Sequence, residues 1–368
     1  MTENLRVTGK QETPSRRAPD LPPVERDSAL IGNLRSVIDS SLGTLLSEGT
    51  RCALMDFPNS GNVGDAAIWM GERTWLERAG IEVVYSCDRY TYSATRLKKE
   101  LKDGVILWHG GGNLGDLWPA AQAFRERVVS EFLDNAIVQF PQSIWFTNPD
   151  NARRAIESLN RHESLHLLIR DSSSLERARA MFSASSSLCP DMAFALELET
   201  PSWAPVTDVL WLCRTDLEAA AGDDQPLPDE VLTMDWLSDT PRELRRPVAT
   251  YAGYATNRVL ATLIRRWPRR LPAPGRSLSS MHAWRARQRM RRGCRTLAQG
   301  RVVVTNRLHA HIFCCMLAVP HVVVGDRYGK LRAFYDTWTN GFASAAFAES
   351  HAQAWSLAQQ LAEERTRP

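Results

Sequence analysis

From residue 51 onward the chain alternates short apolar runs with longer stretches whose apolar residues recur at helical spacing. The runs 51–57, 81–86, 104–109, 136–140 and 165–170 predict strands, and the intervening 66–79 and 121–135 predict helices. This β-α-β-α rhythm predicts a parallel sheet covered by helices. Ile68, Trp69, Trp75 and Leu76 then form the buried stripe of the first helix, where a tryptophan packs rather than stacks on a ligand. The rhythm breaks after 191–198. Residues 197–206 carry two prolines and no clear period, which suits an interdomain linker. It resumes with strands expected at 208–214, 231–236, 301–305 and 321–325, helices at 251–267 and 308–319, and a polar, Ala-rich helix at 349–365. The expected organisation is a disordered leader over 1–27, an N-terminal α/β domain over 28–200, a C-terminal α/β domain over 201–345 and a terminal helix over 346–368. Two parallel-sheet domains facing each other across a cleft would bind a ligand beyond the carboxyl ends of their strands.

Composition narrows the class. An apolar fraction of 43% beside 24% charged residues is that of a folded globular protein, and 368 residues suffice for two ordinary domains. A formal net charge of +3 gives no whole-protein basic field for nucleic acid. No apolar run approaches a bilayer span, and the leader, rich in Pro, Arg, Glu and Thr, lacks the apolar core of a secretory signal. Seven cysteines without a C-x-x-C or Cys/His zinc spacing point to a reducing compartment, the cytoplasm, and to no metal site.

One stretch breaks the pattern. Residues 265–295 carry eleven arginines and no acid, with Trp267, Met281, Trp284 and Met290 as apolar anchors. A solvated basic face is one reading; peripheral contact with an anionic membrane or a phosphate-bearing lipid-linked substrate is the other.

Three loops at strand ends have compositions that suit binding better than packing. The first, 56–65, places Asn59, Gly61, Asn62, Gly64 and Asp65 before a helix, with Asp65 expected as N-cap. The second runs from His109 through Gly110, Gly111, Gly112 and Asn113 to Trp118. Three consecutive glycines each raise the entropy lost on folding by roughly 0.5–1 kcal/mol relative to Ala, which a close ligand or backbone would justify. The third is Asn306-Arg307-Leu308-His309 after an apolar strand. Arg307 can fork onto a carboxylate or phosphate, and His309 can exchange a proton near neutral pH. His311, two residues on, points elsewhere. Arg170 and Arg214 end other strands, and Arg327, Tyr328 and Lys330 follow another. Several cations converging on one cleft imply a ligand with more than one acidic group.

In this order, Asn59-x-Gly61-Asn62-x-Gly64-Asp65, Gly110-Gly111-Gly112-Asn113, Phe140-Pro141-Gln142-Ser143, Arg170-Asp171, Arg214-Thr215-Asp216, Arg307-Leu308-His309, Val319-Pro320 and Tyr328-x-Lys330 resemble the polysaccharide pyruvyl transferase family. Ala310 stands where that family usually has Gly after the Arg-Leu-His triplet. The resemblance implies a fold similar to the GT-B glycosyltransferases, with two Rossmann-like domains. It implies transfer of pyruvate from phosphoenolpyruvate to a sugar of a cell-surface glycan or lipid-linked precursor, with no cofactor. On this view His309 protonates the donor's methylene carbon while Arg307 and Arg170 hold carboxylate and phosphate. Leu308, Arg214, Lys330 and Tyr328 serve the donor, the 59–65 and 109–113 loops serve the substrates, and His109 or Asp65 takes the hydroxyl proton. A metal-independent glycosyltransferase of the same architecture, or a non-catalytic glycan- or membrane-binding component, are the alternatives.

Overall fold

The computed structural model describes residues 22–199, 204–214, 231–236, 259 and 275–366. The helix expected at 251–267 apart from residue 259, the arginines at 265–270 and residues 1–21 of the expected leader lie outside them.

Among the described residues all twelve strands pair in parallel, in two sheets. The first holds β1 (Arg51–Met55), β2 (Glu82–Ser86), β3 (Val105–Trp108), β4 (Gly111–Gly115), β5 (Ile137–Trp145), β6 (Leu165–Ile169) and β7 (Ser185–Leu188). Their order is β2-β1-β3-β5-β6-β7, with β4 on the far half of β5. The second holds β8 (Thr207–Leu212), β9 (Leu232–Met234), β10 (Gly300–Thr305), β11 (His321–Val324) and β12 (Ala345–Ala348), ordered β12-β11-β10-β8-β9. Parallel neighbours require crossovers, and the helices supply them. These are α1 (Pro23–Gly43), α2 (Val63–Arg78), α3 (Ala94–Leu101), α4 (Pro119–Glu131), α5 (Pro149–Leu159), α6 (Ser172–Met181), α7 (Gly275–Leu297), α8 (Leu308–Leu317), α9 (Lys330–Phe334) and α10 (His351–Thr366). The fold is thus the expected α/β pair of Rossmann-like sheets.

Three strands escaped the hydrophobic pattern: the short Ala-rich β12, and β4 and β7 for opposite reasons. β4, Gly-Gly-Asn-Leu-Gly, reads as a loop, yet two of its positions require glycine. Gly111 and Gly115 have φ of 119° and 138°, and a Cβ on Gly115 would lie 1.8 Å from the carbonyl oxygen of Trp145. β7, Ser185-Ser186-Ser187-Leu188, has almost no apolar side chain and survives on its ladder with β6.

The described part of the expected leader needs correction. α1 begins at Pro23, a favoured first helical residue, and buries Leu34, Ile38 and Leu42. Asp27 is 1% exposed and accepts from the backbone N–H groups of Ala343 and Ser344, at 2.6 and 3.1 Å. The chain from Pro23 to Asp27 therefore clamps the approach to β12.

The Arg-rich stretch also changes meaning. α7 follows β9 in sequence but packs on α2 and β2 of the first sheet. His282 stacks on Phe57 at 3.8 Å and lies 3.4 Å from the hydroxyl of Ser86. Buried Arg289 donates to the carbonyl of Pro58 at 2.8 Å, and Arg292 to that of Gly61 at 2.6 Å. These arginines fix the 56–65 loop from behind. Met290 packs against the core, so among the described anchors of the expected membrane face only Trp284 is exposed.

Candidate active site

Because all strands run the same way, their carboxyl ends share one rim, and the two rims meet around a cavity of about 360 Å³. The three loops singled out above all reach it. Asn59, Asn62, Asp65, His109, Gly110, Gly112, Asn113, Arg170, Arg214, Arg307, Leu308 and His309 line its wall; Gly111, Tyr328 and Lys330 do not. Lys330 stands close behind. A Cβ built on Gly112 would be 3.0 Å from Arg170 Nη2 and 3.9 Å from Lys330 Nζ, so the missing side chain leaves room for both cations. Tyr328 packs on Trp145, ring centroids 5.1 Å apart.

α2 starts at Asn62, whose side chain accepts from the N–H of Gly64 at 3.0 Å. Asn62, not Asp65, is therefore the N-cap. Asp65 lies in the first turn, joined to Ser60 at 3.2 Å. Gly64 is one point at which the two halves touch: a Cβ there would lie 2.4 Å from His309 Nδ1. Arg307 is the N-cap of α8, which is buried from Ala310 to Cys315 and anchored at its start by Thr305. This places His309 on the first turn of a rigid apolar helix, facing Gly64.

The sequence did not reveal Asp191. It follows β7 and is 1% exposed, accepting from Arg170 Nη1 at 2.8 Å with His309 Nε2 at 3.3 Å. Burial alone would raise its carboxyl; the His309 and Arg170 charges outweigh that and hold it well below the usual carboxylate range. Arg170 also donates from Nε to Ser143 at 2.9 Å. Arg307 pairs with Asp235 at 2.5 Å, and Asn306 accepts from the N–H of Arg214 at 2.7 Å. The signal for Asp191 was slight, a lone acid after a strand made of serines. Asp171 caps α6, accepting from Ser174 at 2.8 Å.

Beneath the glycine loop is a second polar cluster. Buried Glu72 of α2 lies 3.0 Å from His109 Nδ1 and accepts from the N–H of Gly110 at 2.7 Å. Burial alone would lower the His109 imidazole, but the Glu72 carboxylate outweighs that and raises it. A histidine biased towards the cation suits donating a hydrogen bond more than removing a proton from a hydroxyl. Asp56 beside it is buried with φ of 65°, and burial raises its carboxyl.

Folding also gathers His311, Cys315 and His321, all buried, with ligand atoms within 4.8 Å of one another. The two imidazole nitrogens are 2.7 Å apart, whereas two on a tetrahedral zinc stand about 3.3 Å apart. The cluster is a hydrogen-bonded chain: His321 Nδ1 donates to the carbonyl of Val319 at 2.8 Å, so its Nε2 accepts from His311, which meets Thr339 at 2.7 Å. Burial pushes both imidazoles down, His321 to about 4, and so favours their neutral forms.

Pyruvyl transferase 1 of Schizosaccharomyces pombe is 32% identical over 303 residues, 79% of this chain and 70% of that one. EpsO of Bacillus subtilis, whose name assigns it provisionally to the pyruvyl transferases, is 30% identical over 83% of this chain and 90% of its own. A crystal structure of an uncharacterized Klebsiella pneumoniae protein shares the fold, with a TM-score of 0.54 at 17% identity, covering 86% of this chain and 99% of that one. No helix among the described residues is long and apolar enough to cross a membrane. A family profile described as polysaccharide pyruvyl transferase matches residues 62–327, which carry the cavity lining from Asn62 to His309, and the chain belongs to that family.

Proposed function

We propose that the protein transfers pyruvate from phosphoenolpyruvate to two hydroxyls of one sugar in a cell-surface glycan or its precursor, forming a cyclic ketal. The observation that carries this reading is the cluster of Arg170, Arg307 and Lys330 around His309, itself held beside Asp191. Phosphoenolpyruvate has a carboxylate and a phosphate for these cations and a methylene carbon for the acid.

In the proposed reaction His309, as imidazolium, donates a proton to C3 of the enol. C2 becomes electrophilic and one sugar hydroxyl attacks it, losing its proton to Asp65 and thence to His309. The C2–O bond to phosphate breaks, and Arg170, Arg307 and Lys330 stabilise the departing charge. The second hydroxyl closes the ketal, and its proton leaves with hydrogen phosphate. Asp191, 3.3 Å from Nε2, orients the imidazole and is a positioning residue. His109, raised by Glu72, offers a further hydrogen-bond donor to the anion.

Titration calorimetry with phosphoenolpyruvate tests the donor. Binding is expected in the wild type and loss of about tenfold or more in affinity in Arg307→Ala, since a charge-assisted hydrogen bond contributes roughly 1.5–3 kcal/mol. Tight binding of a nucleotide-sugar with none of phosphoenolpyruvate would instead support the glycosyltransferase alternative.

A further inference from the structure

We propose that Trp118 is the platform on which the acceptor pyranose stacks, with Tyr90 as a second wall. This rests on the pyruvyl-transfer reading but makes a separate claim, about where the sugar lies. Five other tryptophans are core residues: Trp69, Trp75, Trp108, Trp211 and Trp236 are each at most 4% exposed. Trp118 is 45% exposed and Tyr90 47%, and both line the cavity. The other exposed large apolar side chains among the described residues, such as Leu133 and Trp284, do not. The Trp118 ring has no ring, cation or hydrogen-bond partner among the described residues. Its exposure therefore serves no packing purpose.

Position and chemistry both suit a sugar. β4 leads away from Gly112, against Arg170, to Gly115, about 10 Å along the strand. Trp118 follows as the residue preceding α4, so the same loop that makes room for the cations also carries the aromatic face. Tyr90 is held by Arg89, whose Nη2 donates to its hydroxyl at 2.8 Å, and by Asp88, which accepts from its N–H at 3.0 Å. Asn59 donates to Asp88 at 3.2 Å, and its amide oxygen is buried without a partner among the described residues. A pyranose has an apolar C–H face and a rim of hydroxyls; a flat indole covers the first, and Asn59 and Asp65 can accept from the second. The anion and the neutral sugar thus occupy different chemistry within one cavity.

The test uses the full chain labelled with nitrogen-15 at its 12 tryptophan indoles, with the Trp118 resonance identified from Trp118→Phe. Methyl glycosides of glucose, galactose, mannose and N-acetylglucosamine are added separately, as are phosphoenolpyruvate and uridine diphosphate. At least one pyranoside is expected to move the Trp118 signal selectively. In turnover, Trp118→Ala is expected to raise the acceptor KM about tenfold and Trp118→Phe about threefold or less, with the phosphoenolpyruvate KM within about twofold of wild type in both. A Trp118 signal unmoved by every pyranoside, or moved only by the nucleotide, overturns the proposal; so does an unchanged acceptor KM in Trp118→Ala. If the wild type consumes no phosphoenolpyruvate with any acceptor, the functional reading falls, while the indole titration still decides the sugar platform.

Discussion

Substituting Gly64 with Ala gives a sharp test of how His309 is placed. The added methyl would lie 2.4, 2.5 and 2.8 Å from Nδ1, Cγ and Cβ of His309. The imidazole must retreat by about 1 Å to reach ordinary contact, and its Cβ cannot swing aside as a side-chain tip could. Displacing an acid by about 1 Å costs roughly a hundredfold in rate, or about 2.7 kcal/mol. The fold should survive. Alanine in the first turn of α2 gains up to about 1 kcal/mol in helix propensity against an overpacking cost of about 1–3 kcal/mol. We expect kcat to fall about a hundredfold, the thermal midpoint to fall by no more than a few degrees, and phosphoenolpyruvate affinity, which the proposed reaction assigns to Arg170 and Arg307, to change less than threefold. Coupled phosphate release, calorimetry and scanning calorimetry measure the three. A variant that turns over within twofold of wild type would refute the claim that His309 works from the position seen against Gly64.

Two further outcomes follow from buried charges. Asp191→Asn should lower kcat by about two orders of magnitude and, by leaving the buried Arg170 without a carboxylate, destabilise the fold by roughly 3 kcal/mol; a full-rate variant would remove Asp191 from its orienting role. For His321, the folded value of about 4 lies below the ordinary 6.5, so the unfolded chain takes up its proton first on acidification. The stability of the neutral His311–His321 chain is complete above about pH 6.5 and falls as pH drops towards 4, with roughly 2 kcal/mol lost from His321 by pH 5. Urea midpoints at the two pH values measure this, and the double substitution His311→Leu, His321→Leu should flatten the dependence. Equal wild-type midpoints at pH 7 and pH 5 would contradict it.

Much of the scaffold was legible because a buried parallel strand is a short apolar run, as in Val302-Val303-Val304. The site was legible where binding conflicts with packing. Three glycines, and an arginine and a histidine at a strand-to-helix turn, are poor choices for a core and good ones for an anion. Asp191 and Asp235 were invisible because a single acid after a weak strand carries no period and no motif. They gain meaning only when Arg170, Arg307 and His309 are brought against them. Glu72 was hidden on the inner face of α2, where the 3.6-residue period marks it as polar among apolar neighbours but does not say that His109 faces it. The inward contacts of the basic stretch were hidden for a related reason: charge counted along a chain says nothing about which arginines a helix turns inward, and Arg289 and Arg292 turn towards the 56–65 loop.

The central claim is that His309 protonates phosphoenolpyruvate so that a sugar can take its pyruvate. Incubating the protein with phosphoenolpyruvate and a panel of glycan and lipid-linked acceptors in deuterated water tests it directly. The account predicts phosphate release only when acceptor is present, a ketal methyl resonance in the product bearing one solvent deuteron, and neither in His309→Ala, which should still bind donor. Acceptor-dependent release that persists in His309→Ala, or a product methyl without solvent deuterium, would contradict it.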